Sequence, residues 1–157
     1  MLFSRRTFSL KIAILVVASS TAMSWAHAEL GGGLARVLAD QTIFRAQRTS
    51  LGHGNHVHHE LTLPNSGTVK EFTNSSGQIF AVTWSGPGKP DLRQLLGGYF
   101  PALQTANAEA FGHNLRRPAH VNRSDLMIQT GGHMGYFWGV AYVPSLAPVG
   151  FSTTDLQ

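Results

Sequence analysis

Asn55-His56-Val57-His58-His59-Glu60-Leu61-Thr62-Leu63-Pro64-Asn65-Ser66-Gly67-Thr68-Val69-Lys70-Glu71-Phe72-Thr73-Asn74-Ser75-Ser76-Gly77-Gln78-Ile79-Phe80-Ala81-Val82-Thr83-Trp84 is the stretch whose reading decides the fold. Its apolar residues alternate with polar ones, and side chains on a strand point alternately to opposite faces. Val57, His59, Leu61 and Leu63 therefore share one face, and His56, His58, Glu60 and Thr62 the other. Pro64-Asn65-Ser66-Gly67 and Asn74-Ser75-Ser76-Gly77 are turn signals. Three short strands joined by two tight turns predict an antiparallel meander.

C-terminal to the meander, Ser85-Gly86-Pro87-Gly88-Lys89-Pro90 interrupts the strand pattern. Asp91 then occupies an N-cap position, with Gln94 three residues on as in a capping box. Leu92, Leu95, Leu96, Tyr99 and Leu103 recur at helical spacing, a stripe suited to packing on a sheet. Leu126–Thr130 and Tyr136–Val143 read as two strands around the loop Gly131-Gly132-His133-Met134-Gly135. The expected architecture is α+β: a small antiparallel sheet made of a three-strand meander and a two-strand hairpin, with the intervening helix on one face. Residues 53–150 form this single domain and 151–157 a C-terminal tail.

N-terminal to it, residues 29–52 start with Gly31-Gly32-Gly33 and offer only partial helical spacing through Leu34, Val37 and Leu38. They read as a flexible arm. Residues 1–28 read as a cleavable signal peptide. Arg5, Arg6 and Lys11 precede the apolar run from Ile12 to Ala18, and Ala26 and Ala28 provide the A-x-A cleavage pattern. Ser4-Arg5-Arg6-Thr7-Phe8 also fits twin-arginine export, and the choice of route stays open. The apolar run is shorter than the roughly 20 residues a spanning helix needs, so the membrane enters only through the export signal.

The formal charge of +4 falls once Arg5, Arg6 and Lys11 leave, because nine Lys and Arg then face eight Asp and Glu. A nucleic-acid partner is therefore not expected. The absence of cysteine excludes disulfides, thiol catalysis and thiolate-bound metals. A periplasmic or secreted protein held together by its hydrophobic core alone is the resulting expectation.

Thr68-Val69-Lys70-Glu71-Phe72, Ile79-Phe80-Ala81-Val82-Thr83-Trp84-Ser85-Gly86-Pro87 and Pro90-Asp91-Leu92-Arg93-Gln94-Leu95-Leu96-Gly97 resemble the central block of a secreted proteobacterial family, domain of unknown function 2844. Gly131-Gly132-His133-Met134 and Ala141-Tyr142-Val143-Pro144-Ser145-Leu146 resemble its C-terminal end. The resemblance implies export from a Gram-negative cell and carries no assigned reaction, ligand or catalytic residue.

Chemically, the densest feature is His53, His56, His58 and His59. On one strand face His56, His58 and Glu60 could supply a divalent transition metal with two imidazoles and a carboxylate, provided His53 or His133 folds in. His59, on the apolar face, reads as a hydrogen-bonded core histidine. No G-x-S-x-G elbow is present, and Glu60, Glu71, Asp91, Glu109 and Asp125 show no pairing suited to glycosidase chemistry. Tyr136, Trp138 and Tyr142 would serve a partner or a glycan if their sheet face were uncovered. The leading expectation is a non-enzymatic module binding a protein or ligand in the cell envelope. A periplasmic metal-binding protein built on His53–His59 comes second and an unrecognised hydrolase third, so enzyme status stays open.

Overall fold

A computed structural model of the chain describes residues 30–112 and 118–156. The expected signal peptide with Ala26 and Ala28 lies outside these residues, as does the basic pair Arg116-Arg117. The architecture departs from the expected meander, helix and hairpin. Among the described residues one seven-stranded antiparallel sheet forms, in the order β1-β2-β3-β4-β7-β6-β5. Its strands are β1 (Gln47–His53), β2 (His56–Thr62), β3 (Thr68–Asn74), β4 (Ile79–Gly86), β5 (His120–Asn122), β6 (Met127–His133) and β7 (Tyr136–Tyr142). Helix α1 (Leu34–Ile43) precedes the sheet, and α2 (Leu92–Leu96) and α3 (Phe100–Gly112) lie between β4 and β5. Among the described residues no helix is long and apolar enough to cross a membrane.

Two strands escape the sequence reading for physical reasons. β1 is exposed along its entire length, so no apolar alternation marks it. β5 has three residues, of which Val121 alone is buried. Residues 29–52, read as an arm, instead hold α1 and β1. The segment before α1 is tied down by main-chain bonds: Gly31 N–H donates to Ile79 O and Ile79 N–H to Gly32 O, each at 2.7 Å. Leu30 is buried beside them.

The turns between β2, β3 and β4 work through asparagine side chains. Asn65 Oδ1 accepts from Gly67 N–H at 2.9 Å, and Asn74 Oδ1 accepts from the N–H groups of Ser76 and Gln78 at 3.0 Å. Side-chain bonds of this type add to the main-chain bonds that close the turns, Leu63 N–H to Gly67 O and Asn74 N–H to Gln78 O. Asp91 Oδ1 accepts from Arg93 N–H and Gln94 N–H and so caps α2. The Gln94 side chain does not close the capping box, because its amide donates to Asp40 Oδ1 of α1 at 2.9 Å.

Registers across the sheet separate two faces. Leu61, Val69, Val82, Trp84, Ala141, Ile128 and Val121 form the core face, packed beneath Val37 of α1, Leu95 and Leu96 of α2 and Leu103 of α3. The second face carries a smaller cluster of Phe72, Phe80, Ala81 and Leu156, joined by Tyr142 and Phe151. A bulge makes that cluster, since Phe72 pairs with Ala81 and Thr73 with Ile79, so Phe80 is skipped by the register. Beyond β7, Pro144–Leu146 and Thr153–Leu156 form short 3-10 turns. This C-terminal segment covers one part of the second face and leaves the rest open.

Candidate functional site

The second face is organised in rows of register partners. One row runs Leu51, His58, Phe72, Ala81, Tyr142, Met127, and the next Thr49, Glu60, Lys70, Thr83, Val140, Gln129. A third runs Gln47, Thr62, Thr68, Ser85, Trp138, Gly131. The strand period thus presents histidines and aromatics at one end, polar side chains in the middle and an indole at the other.

At the first end, His53 of β1 joins His56 and His58 of β2. The His53 and His56 rings stack at 5.1 Å and 14°, and His58 lies flat on Phe72 at 5.1 Å and 9°. Phe151 meets His56 edge-on at 5.2 Å. Stacked rings present faces to one another, whereas metal ligation uses in-plane nitrogen lone pairs converging on a point. Among the described residues no group of three or more His, Asp or Glu is arranged to hold a metal ion. His133 stays at the far end of the sheet on β6, on the order of 19 Å from β2 by four inter-strand steps. There its Nδ1 lies 3.0 Å from Met134 O.

Burial pushes the His56 and His58 imidazoles below the usual histidine value. His53 adds to this at His56; Lys70, His53 and His56 add to it at His58, against the pull of Glu60. His58 Nε2 is buried without a hydrogen-bond partner. One carboxylate oxygen, Glu60 Oε2, stands 3.8 Å from His58 Nε2 and 3.8 Å from Lys70 Nζ.

His59 lies on the core face between two hydroxyls, with Ser50 Oγ 2.8 Å from Nδ1 and Thr73 Oγ1 3.2 Å from Nε2. Arg48 donates to Ser50 Oγ at 2.6 Å and Thr73 to Val57 O at 3.5 Å, so the chain of donors runs from Arg48 through His59 to the β2 main chain. Both imidazole nitrogens are satisfied, which is what a buried ring requires. Burial, then Arg48 and His58, hold this imidazole below the usual value.

Sequence reasoning left Glu71 unpaired, but the structure sets it against Asp40 of α1. Each residue is 1% exposed. Burial raises both carboxyls, Glu71 well above the usual range, and the hydrogen bond between them raises Glu71 while lowering Asp40. Glu71 is therefore the acid that keeps its proton and donates it to Asp40. Asp40 sits in the stretch read as an arm, so no sequence signal pointed to the pair. Its burial closes it to any substrate.

The middle and far end of the second face form an open cleft of about 570 Å³. Lys70, Thr83, Ser85 and Gln129 line it from the strands, and Thr153 and Asp155 from the C-terminal turn. Tyr136 and Trp138, also lining it, remain 47% and 42% exposed. The Trp138 indole lies over Gly131, where an added Cβ would stand 2.5 Å from Cζ2. Its neighbour Trp84 lies over Gly139 on the core face in the same way. Two glycines facing two tryptophans thus fix one indole in the core and one at the cleft.

Residues 26–156 match the family described as Protein of unknown function (DUF2844). The chain belongs to this family. No curated protein and no solved structure shows significant similarity to it. For the DUF2844 domain, function must therefore be argued from the cleft. The sequence pointed to Tyr136 and Trp138 but missed Lys70, Thr83, Gln129, Thr153 and Asp155. Alternation would have placed Lys70 and Thr83 on the His58 face, but only the pairing of β4 with β7 brings Gln129 and Trp138 beside them.

Proposed function

We propose that this DUF2844 domain is a non-enzymatic binding module that takes a saccharide in the cleft on the open face of its sheet. The observation that carries this reading is the composition of the cleft: a half-exposed indole over Gly131, ringed by hydroxyl and amide side chains. An indole offers a flat apolar face, which suits the C–H face of a sugar ring. Thr68, Thr83, Ser85, Thr153 and Gln129 can both donate and accept, as sugar hydroxyls do. A small number of polar groups around an aromatic surface is the usual make-up of a ligand pocket. The basic, apolar and A-x-A segments of residues 1–28 support a place in the periplasm or outside the cell, where envelope glycans are found.

Titration of the domain with a neutral gluco-oligosaccharide, followed by NMR, tests the reading. Shifts should centre on Trp138, Thr83 and Gln129, and Trp138→Ala should abolish them while leaving the remaining spectrum folded. Absence of shifts, or shifts that persist in Trp138→Ala, would overturn it. Shortened saccharides accumulating in the same tube would replace the binding module by a hydrolase.

A further inference from the structure

We propose that the cleft is tuned for carboxylate-bearing saccharides and gated by His58, which on taking up a proton draws Glu60 away from Lys70 and frees that ammonium for the ligand. The inference rests on the cleft reading above and adds ligand class and regulation to it. Its basis is one shared oxygen. Glu60 Oε2 is 3.8 Å from both His58 Nε2 and Lys70 Nζ, and Lys70 lines the cleft. Strand geometry produces this, because Glu60 is two residues from His58 on the same face and is the register partner of Lys70.

His58 Nε2 has no hydrogen-bond partner and the ring is stacked on Phe72. A neutral ring is tolerated there, but an imidazolium needs an anion, and a buried charge without one is costly. Facing His58 are His53 of β1, His56 and Glu60 of β2 and Lys70 of β3; Asp155 of the C-terminal turn acts on His56. Glu60 is the carboxylate within reach of His58 Nε2. Protonation therefore changes the partner of Glu60, and Lys70 turns its charge to the cleft. Asp155 lines the cleft too, so a ligand carboxylate must sit on the Lys70 side.

The experiment has a ligand-free arm and a ligand arm. In the first, the His58 imidazole is titrated by NMR in the folded chain and its variants. Glu60→Gln should lower its pKa and Lys70→Met should raise it; an unchanged value in both variants would overturn the proposal. In the second, oligogalacturonate and a neutral gluco-oligosaccharide are titrated at pH 7.5 and at a pH well below the His58 value found in the first arm. Oligogalacturonate should bind about three- to fivefold more tightly at the lower pH, the size of one exposed ion pair. The neutral ligand should show no such gain. His58→Phe, which keeps a flat ring on Phe72, and Lys70→Met should both remove the gain. Equal oligogalacturonate affinity at the two pH values, with neutral binding intact, would overturn the gating and leave the cleft reading standing. Failure of oligogalacturonate alone to bind would overturn this proposal and leave the cleft reading standing; failure of both saccharides would overturn both.

Discussion

Asp40 and Glu71 show how single residues set a property of the whole domain. Asp40 Oδ2 and Glu71 Oε2 are buried with no hydrogen-bonding partner while both acids are ionised, so a proton shared by the two side chains is what satisfies them and joins α1 to β3 at this point. Both folded-state values lie above the ordinary 3.8 and 4.5, hence the folded protein holds its proton at pH values where the unfolded chain has lost it. The stabilisation is complete below the unfolded values and is lost as pH rises through the folded ones. Glu71→Gln replaces the titrating donor by a permanent one. Its urea-unfolding free energy should change less between pH 6.5 and pH 9 than that of the wild type, with a gain of about 1–2 kcal/mol at pH 9. A wild-type alkaline slope retained in Glu71→Gln would show that the pair does not share a proton. The two glycine–tryptophan contacts make a second residue-scale prediction. Gly139→Ala drives a methyl into Trp84 inside the core and should cost about 1–3 kcal/mol. Gly131→Ala pushes against the half-exposed Trp138, which can move outward. It should leave thermal stability within about 0.5 kcal/mol while shifting Trp138 fluorescence and weakening saccharide binding. Equal destabilisation by both variants would place the two indoles in equivalent surroundings and count against an open cleft.

Among the elements, α2 illustrates what the sequence makes legible and what it conceals. Asp91 caps the helix where the pattern places it, and Asp91→Ala should cost about 1 kcal/mol by thermal unfolding. Gln94 reads as the reciprocal half of that cap, yet it donates to the buried Asp40 carboxylate, on a helix whose N-cap Gly33 offers no side-chain bond. Gln94→Ala should therefore cost more than Asp91→Ala, about 1.5–3 kcal/mol, because it deprives a buried charge of one of its two donors. Equal costs would reduce Gln94 to an ordinary surface position. The same contrast holds for the strands. β2, β3 and β4 fall on runs whose alternation reports two unlike faces, and asparagine and glycine mark their ends. β1 buries neither face, and Gln47-Arg48-Thr49-Ser50-Leu51-Gly52-His53 carries no periodic signal for that reason. The placement of β7 beside β4 is a long-range event written in no local pattern. It depends on α2 and α3 carrying the chain over the core face, and on Gly139 admitting Trp84 at one register. The site was legible to the same extent. Aromatic residues of β7 and the histidines of β2 stand out in the sequence, whereas a cleft shared by β3, β4, β6, β7 and the C-terminal turn exists only after the sheet closes up.

At the scale of the whole molecule, two groups of buried titratable side chains oppose each other. His56, His58 and His59 all have folded values below 6.5, chiefly through burial, so they stay neutral where the unfolded chain would take up protons. Their contribution is fully present above 6.5 and is lost as pH falls through the folded values. The Asp40–Glu71 pair works with the opposite sign, its contribution declining as pH rises from 3.8. Above 6.5 the three histidines no longer contribute a slope, and the acid pair makes stability fall as pH rises. Below 3.8 the acid pair no longer contributes a slope, and the groups with lowered values, the histidines and Asp125, make stability fall as acid is added. Between these limits the two slopes act against each other, so the maximum should lie between pH 3.8 and pH 6.5. Urea midpoints measured from pH 4 to pH 9 locate it. The variants then assign the limbs: Glu71→Gln should flatten the alkaline limb alone, and His58→Phe should weaken the acid limb alone. A midpoint that climbs steadily to pH 8 would mean that the acid pair is already ionised in the folded protein, and the shared proton would have to be given up. A maximum there lies on the acid side of 6.5, the side on which His58 takes up its proton. A gain in oligogalacturonate binding at a pH within that range then cannot be ascribed to loosening of the domain.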